Sequence, residues 1–566
     1  MRWLLPLSSS ALFWTLLIAG IHRESPRTAV SAHGFLHSAV AQRFQVDGWV
    51  IPPQNPFFAG EPLPYYWSFH ALGAAVGKLL GLDPLRSFEL LIGLATIGLV
   101  AGCGWLARAL YGNAALGAVT AFLILVGANL QAPVVVGVRG WLSDGRVFAD
   151  SGAYLWGLAH PLLGHMRLWD PFSTLGPLLP FYLNITARPL ALSALVFVLL
   201  GAHRALSQGW RGSAGLAVAV ALCTAFSVLV GLPSAVALGL ALVVLRAPAL
   251  AFFAGHQRPP LAPLLAALAV GIALGATSVL HLFAGTTAAP AIQLVAPGVA
   301  TTRLLGMLAC GWPLLALCVV AISNADDQRR HFLSVLVLTS IALTGGAALL
   351  ELPAGNHVNL FHAALVMLAV GASGAMLDAR NRPSAVRIAW TIALFLPVLA
   401  LIVMSYTSRP PVPLAFDGRQ LRRVDDTHVA RLYGWIRAET PSDAVLVIDP
   451  DPPIRAMSGN TAELPALTER TLFTARSDHY IVTSHAEAGQ RAAIARRLLT
   501  AATLSDEDAA RIARLGRRVY LVADPAARNI RPAALSARYG PPVFQSGPVQ
   551  VWRWSHAASL DASHRR

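Results

Sequence analysis

Charged side chains are scarce in this chain, at 13% of its 566 residues, about half the share of an ordinary soluble domain. Lysine is scarcer still, with Lys78 its one example. The net charge of +15 therefore comes from arginine. Those arginines are scattered through short loops and the C-terminal region and form no basic stripe, which excludes nucleic acid as a partner. Of cysteine there are four, and Cys103, Cys223, Cys310 and Cys318 all fall inside apolar runs, so none is placed to staple an exported loop. No CxxC, HExxH, Walker or dinucleotide-binding glycine pattern occurs, and the familiar soluble-enzyme chemistries go with them. Apolar residues fill the chain instead, at 55% with a mean hydropathy of +0.57. That composition belongs to a polytopic α-helical membrane protein.

A spanning helix needs roughly 20 apolar residues, and about eleven runs qualify: near 3–21, 86–110, 113–130, 186–203, 212–230, 233–253, 262–284, 303–323, 332–350, 358–377 and 386–406. Arginine sets the orientation. With the N-terminus cytoplasmic, the inner loops hold Arg2, Arg108, Arg204, Arg211, Arg246, Arg258, Arg329, Arg330, Arg380, Arg382 and Arg387. An odd number of spans then leaves the C-terminus outside, on the same face as the two longest interhelical loops, 22–85 and 131–185. The first run also resembles a signal peptide, with Arg2 ahead of it and small residues from Ala29 to Ala32. Residue 33 onward is outside in either case, and an uncleaved span is the expectation.

Past the last run, "SRPPVPLAFDGRQ" marks a linker by its proline and charge. The remainder, 410–566, reads as a small α/β domain. "DTHVARLYGWIRAETP" places Val429, Leu432, Tyr433 and Ile436 on one helical face and stops before Pro441. "AVLVID" and "RRVYLVAD" read as short buried strands. In "LSDEDAARIARLG", Ser505 is an N-cap, Asp508 completes a capping-box spacing and Gly516 is the stop.

The first outer loop concentrates the chemistry. In "HGFLHSAVAQRF", His33 and His37 share a helical face that Val40, Ala41 and Phe44 continue as an apolar side suited to lying on the membrane surface. Downstream, Pro52, Pro53, Pro56 and Pro62 stiffen a loop that carries Asn55, Glu61, Tyr65, Tyr66 and Trp67, with His70 one turn into the next helix. Three readings fit these residues. They can form a substrate site in which the imidazoles and Glu61 move protons or grip a phosphate. They can hold a divalent metal at His33 and His37, completed by Glu61 or His70. Or the histidines simply hydrogen-bond in a packed loop. The second outer loop adds Arg139, Arg146 and Arg167, with Arg188 beside it, together with Asp144, Asp150, His160, His165, Trp169 and Asp170. Such arginines suit an anionic ligand, or lipid headgroups.

One apolar helix, a long outer loop, "NPFFAGEPLPYYWSFH", and a span ending in "WLARALYG" before an immediate return resemble the C-type (GT-C) glycosyltransferase superfamily, most of all a bacterial branch with HGFxH and PPxNPxxAGEPLxYYW motifs. Topology matches over the transmembrane part, 1–409. Residue-level likeness is confined to 33–85, to "AGNHVNLFHAALVMLA" and to the outer tail. The resemblance implies a bacterial cytoplasmic-membrane enzyme that moves a sugar from a polyprenyl-phosphate carrier to a glycan, lipid or protein acceptor outside, with 410–566 as an extracytoplasmic domain. Two departures matter. Relatives carry an acid early in the first loop to deprotonate the acceptor hydroxyl; here His33 and His37 stand there, which leaves Glu61, Asp47 or a histidine as the base, or a non-catalytic protein. At the outer end of the tenth run relatives often show Asn, acid, any residue, Lys; here Asn356, His357, Val358 and Asn359 lack the cation, and Asn356 and His357 remain as substrate contacts.

A lipid or sugar flippase, or a transporter, is the reading from another class. Ion-coupled carriers place ionisable groups near the bilayer centre and often show inverted repeats. No Asp, Glu, Lys or Arg lies mid-run and no repeat is apparent. In the tail, "LPALTERTLFTARSDHYI", with Glu469, Arg470, Arg476, Asp478 and His479, reads as a solvated loop, the alternative being an acceptor surface.

Overall fold

The computed structural model describes residues 4–24, 34–126, 178–183, 185–247, 250, 261–278, 280, 292–352, 356–378, 414–417, 420–423, 428–450, 463–475, 480–483, 485–523 and 530–555. The chain divides into two compact units. The first comprises Met1–Thr28, Glu89–Val279 and Ala291–Pro411, the second Ala29–Phe88, Leu280–Pro290 and Val412–Arg566.

In chain order the longer helices among the described residues before the tail are α1 (Leu4–Glu24), α2 (Gly34–Val46), α3 (Ser68–Leu80), α4 (Pro84–Tyr111), α5 (Leu116–Val126), α6 (Arg188–Gln208), α7 (Trp210–Phe226), α8 (Val228–Val244), α9 (Ala262–Ala276), α10 (Pro297–Ser323), α11 (Asp327–Leu349) and α12 (Val358–Asp378). Each expected apolar run up to 377 contains helix among its described residues, and the run at 386–406 lies outside the described residues. By length and composition, four of these helices can cross a membrane, Pro84–Tyr111, Arg188–Gln208, Asp327–Leu349 and Val358–Ala375, and α10 makes five if its two halves count as one bent span. Those halves meet at 56° between Leu308 and Cys310. Pro313 sits inside α10, and its missing amide frees the carbonyl four residues earlier, at the bend.

The first unit packs as helices do in lipid, with small residues at the contacts and large ones outward. α8 exposes Leu232, Val236, Leu240 and Val243 at three- and four-residue spacing while burying Gly231, Ser234, Ala235 and Leu238. A Cβ on Gly231 would lie 2.4 Å from the backbone nitrogen of Thr224, so only glycine lets α7 and α8 approach this closely. A two-residue ladder, β1 (Gln293–Leu294) against β2 (Leu350–Glu351), ties the start of α10 to the end of α11.

The second unit joins the segment Ala29–Phe88 to the tail. After a hairpin of β3 (Leu414–Asp417) and β4 (Gln420–Arg423) come α13 (His428–Glu439), β5 (Val445–Val447), α14 (Leu464–Thr468), β6 (Thr471–Leu472), α15 (Ala488–Leu499), α16 (Asp506–Ala513), β7 (Val519–Ala523), α17 (Pro532–Tyr539), β8 (Phe544–Ser546) and β9 (Val549–Trp554). Five strands form one sheet in the order β6-β5-β7-β9-β8, parallel from β6 to β7 and antiparallel beyond. Val429, Leu432, Tyr433 and Ile436 are the buried face of α13, and Ser505 caps α16 by accepting from the Asp508 amide. α16 ends at Ala513, and Gly516 takes its left-handed φ of 62° three residues later.

The sheet's core is built from Val445, Val447, Phe473, Ile494, Leu498, Ile512, Leu521 and Trp552, and Ala59 of the first loop belongs to it. The loop helices α2 and α3 pack together, and a Cβ on Gly73 would meet the Phe88 ring at 2.2 Å. α2 differs from the surface-lying helix its sequence suggests. It is buried on every face from Gly34 to Phe44, because α3 and α14 both lie against it.

Candidate active site

Residues 53–63 fold back on themselves. The Asn55 amide donates to the Glu61 carbonyl at 2.8 Å and the Leu63 amide to the Pro53 carbonyl at 2.8 Å. Proline fixes φ along this stretch, and Gly60 closes the turn with a φ of 83°. The tip then adds to the free edge of β6. The Ala59 amide donates to the Leu472 carbonyl at 2.9 Å, the Leu472 amide to the Pro56 carbonyl at 2.8 Å, and the Ala475 amide to the Phe57 carbonyl at 2.9 Å. An edge strand's unpaired groups are thereby satisfied by a segment more than 400 residues away in sequence.

Side chains lock this contact. Asn55 Nδ2 donates to the Ile481 carbonyl at 3.0 Å and lies 3.2 Å from His485 Nε2, while Asn55 Oδ1 accepts from the Phe57 amide at 2.9 Å. The Phe58 and His485 rings stack at 4.5 Å. Arg491, 4% exposed, lies with its guanidinium 4.0 Å above the Phe58 ring and donates to the carbonyls of Ala59 at 2.5 Å and Phe473 at 3.3 Å. Two carboxylates flank it, Glu487 at 3.5 Å and Glu61 at 3.6 Å. Burial lowers the Arg491 pKa, and Glu487 and Glu61 oppose that effect. Burial, with the charge of Arg491 behind it, brings His485 down to about 4. Glu61 keeps its side chain 41% exposed.

Asp47 is drawn off by Arg43, one turn earlier at 3.6 Å. Arg43 is itself buried and donates to Thr471 Oγ1 at 3.0 Å and the Glu469 carbonyl at 2.6 Å. The segment read as a solvated loop is therefore packed where it is described: Arg470 is 4% exposed and donates to Thr440 Oγ1 and to the carbonyls of Arg437, Thr440 and Thr468. Arg476, Asp478 and His479 lie outside the described residues.

His37 finds its partner in His70. The two rings meet Nδ1 to Nε2 at 2.8 Å, both buried, inside a box made by Phe69, Phe88 and Tyr65. Burial holds His70 down at about 3, against the carbonyls of Tyr66 and Trp67, so it is neutral at pH 7. Two imidazoles on one tetrahedral metal would stand about 3.3 Å apart, and 2.8 Å is instead a hydrogen bond between the two rings. Among the described residues no three His, Cys, Asp or Glu side chains gather as a metal site. His33 lies outside the described residues. On the outer rim of the box, Tyr65 donates to Tyr66 Oη at 2.6 Å, and both tyrosines and Trp67 are half-buried.

The first unit holds a separate polar cluster. Glu351, pinned by the β1–β2 ladder, is ion-paired with Arg303 of α10 and lies 3.7 Å from His357 Nδ1, just ahead of α12. Asn359 donates to the Asn356 carbonyl at 3.0 Å and to its side-chain oxygen at 3.1 Å. Arg188 sits 4.4 Å over the Phe181 ring, and the His362 ring lies 4.7 Å from the same ring. Arg139, Arg146 and Arg167 lie outside the described residues. The sequence reading passed over Arg303, Glu351 and Arg491. Glu351 carried a weak signal, an acid directly after an apolar run; Arg491 carried none.

No protein-family model matches the chain and no curated protein matches it. Solved structures do. The arabinofuranosyltransferase AftD from Mycobacteria matches over 98% of this chain with a TM-score of 0.51 at 16% identity, and the chain spans 40% of AftD's length. ArnT from Cupriavidus metallidurans, bound to undecaprenyl phosphate, matches with a TM-score of 0.52 at 12% identity over 98% of both chains. The chain has their fold.

Proposed function

We propose that the chain is an integral membrane glycosyltransferase of the bacterial cytoplasmic membrane, transferring a sugar from a polyprenyl-phosphate carrier to a glycan, lipid or protein acceptor on the outer face. In this reading the chain makes about eleven spans, its N-terminus is cytoplasmic, and 410–566 lies outside. One observation carries it: end-to-end likeness to a structure of the same extent that was solved with undecaprenyl phosphate bound.

A hydroxyl is a poor nucleophile at neutral pH, so a base must take its proton as the oxygen bonds to the anomeric carbon. The bond to the carrier's phosphate breaks at the same time and leaves its electron pair on phosphate. Glu61 suits the base because its carboxylate, although 3.6 Å from Arg491, remains 41% exposed, whereas the Asp47 side chain beside Arg43 is 18% exposed and His37 is 1% exposed. Tyr65, Tyr66 and Trp67 offer faces for a sugar. Arg139, Arg146, Arg167 and Arg188, with Asn356 and His357, are the proposed contacts of the carrier phosphate. His37 and His70 support the tyrosines from behind.

The test is release of polyprenyl phosphate by the full chain in nanodiscs from a panel of carrier-linked sugars. Turnover that falls by 100-fold or more in Glu61→Gln, on the order expected for loss of a general base, supports the assignment. Unchanged turnover in that variant removes Glu61 from the chemistry. A wild-type chain that moves carrier lipid between leaflets without cleaving it is a flippase.

A further inference from the structure

The second unit exposes large apolar side chains at seven described positions, Trp49, Val50, Ile51, Leu79, Leu80, Leu280 and Val543, and five of the seven fall in two short segments of the first loop. The two segments are neighbours. Trp49–Ile51 follows the end of α2, and Leu79–Leu80 closes α3. These helix ends lie side by side, since Gln45 Nε2 of α2 is 3.1 Å from where a Cβ on Gly77 of α3 would be. The Trp49 ring rests 5.5 Å from that of Phe44 on α2. Leu79 is 83% exposed and Ile51 55%. Contiguous exposure of this kind marks an interaction surface.

We propose that Trp49, Val50, Ile51, Leu79 and Leu80 form an edge that dips into the lipid bilayer. Chain continuity points to lipid as the occupant. Only Gly81, Leu82 and Asp83 separate Leu80 from Pro84, where the 28-residue α4 begins, a helix long and apolar enough to span. Three residues reach about 10 Å, so Leu80 is held at the mouth of a span. The flanking chemistry agrees: the exposed Lys78 can lift its ammonium into headgroups from an apolar stem, and Trp49 suits the interfacial belt. The membrane contact first expected of the α2 face belongs instead to the ends of α2 and α3. It does not depend on the catalytic reading.

Single thiols test this. The four native cysteines are buried, so a water-soluble maleimide fluorophore on Val50→Cys or Leu79→Cys of the full chain in phosphatidylethanolamine–phosphatidylglycerol nanodiscs reports one site. Glu507→Cys, on a side chain 72% exposed, is the aqueous reference. Labels at 50 and 79 are expected to be quenched several-fold more by brominated acyl chains than the reference, and several-fold less by iodide. Iodide quenching equal to the reference with no response to brominated lipid overturns the proposal. So does protection from both quenchers that is lost on dilution, because a second copy of the chain would then be the cover.

Discussion

Two arginine–carboxylate clusters sit in opposite surroundings, and the contrast is between a cation bonded to buried main chain and one paired with an exposed carboxylate. In the second unit Arg491 is sunk beneath Phe58 and spends its donors on backbone carbonyls of Ala59 and Phe473, with Glu61 and Glu487 at its rim. In the first, the Arg303 and Glu351 side chains are 16% and 43% exposed, with His357 beside them. A buried cation bonded to main chain fixes geometry, and its removal strands several partners at once. A pair whose carboxylate is 43% exposed is more weakly coupled to the fold.

Breaking the buried cluster should have the larger effect. Arg491→Met keeps much of the side chain's bulk but removes the donors from two buried carbonyls and the cation from the Phe58 face. About 3 kcal/mol of the second unit's stability is expected to go. Limited proteolysis of the detergent-solubilised chain against temperature should show the tail cut many degrees earlier than in wild type. An unshifted profile would mean that the loop is held by its backbone pairing alone.

Acid should find the same unit. His70 titrates near 3 when folded, by burial, against an unfolded value near 6.5. The unfolded chain therefore takes the proton first. Stability is complete above pH 6.5 and declines as pH falls toward 3, at about 1.4 kcal/mol per pH unit, or roughly 2 kcal/mol by pH 5. His485, held near 4, adds a smaller decline over its own window because it is less buried. In His70→Asn the slope between pH 6.5 and 5 should flatten by about one proton's worth, measured against that variant's own stability at pH 7.5. An unchanged slope would exclude the His37–His70 pair as its source. Asn55→Ala comes next, at about 1–2 kcal/mol, for the Ile481 carbonyl and Phe57 amide it leaves unbonded.

How legible all this was follows from which interactions are local. The face of α13, the cap at Ser505 and the strands around Val445 and Val519 are set by neighbours within a few residues, and the sequence shows them plainly. The apolar runs are legible for the same reason. Asn55 and Glu61 stood out as rigidly held polar groups, but nothing local says that the holder is Arg491. His37 was read against the next histidine up the helix, at i−4, whereas its partner is His70, 33 residues on. α2 misled because half a helical wheel of small and apolar residues suits a membrane surface and a packed interior equally well. The trio at Glu351 is assembled from α10, β2 and the turn before α12, which no spacing rule joins.

The smallest expected effect draws the contrast most sharply. Glu351→Gln preserves shape and removes one charge from a pair whose carboxylate is 43% exposed, so the first unit's thermal stability should move by less than about 1 kcal/mol. Gln can still accept from Arg303, which otherwise keeps its bond to the Leu350 carbonyl at 3.2 Å, and this limits the loss further. If the cluster were a scaffold like that around Arg491, the same substitution would strand Arg303 and destabilise the unit by several kcal/mol. The melting profile of Glu351→Gln beside that of Arg491→Met therefore decides between the two descriptions: equal shifts would mean that the first cluster is as structural as the second. A near-silent Glu351→Gln with altered turnover on carrier-linked sugar would instead assign the work of Glu351 and His357 to the substrate.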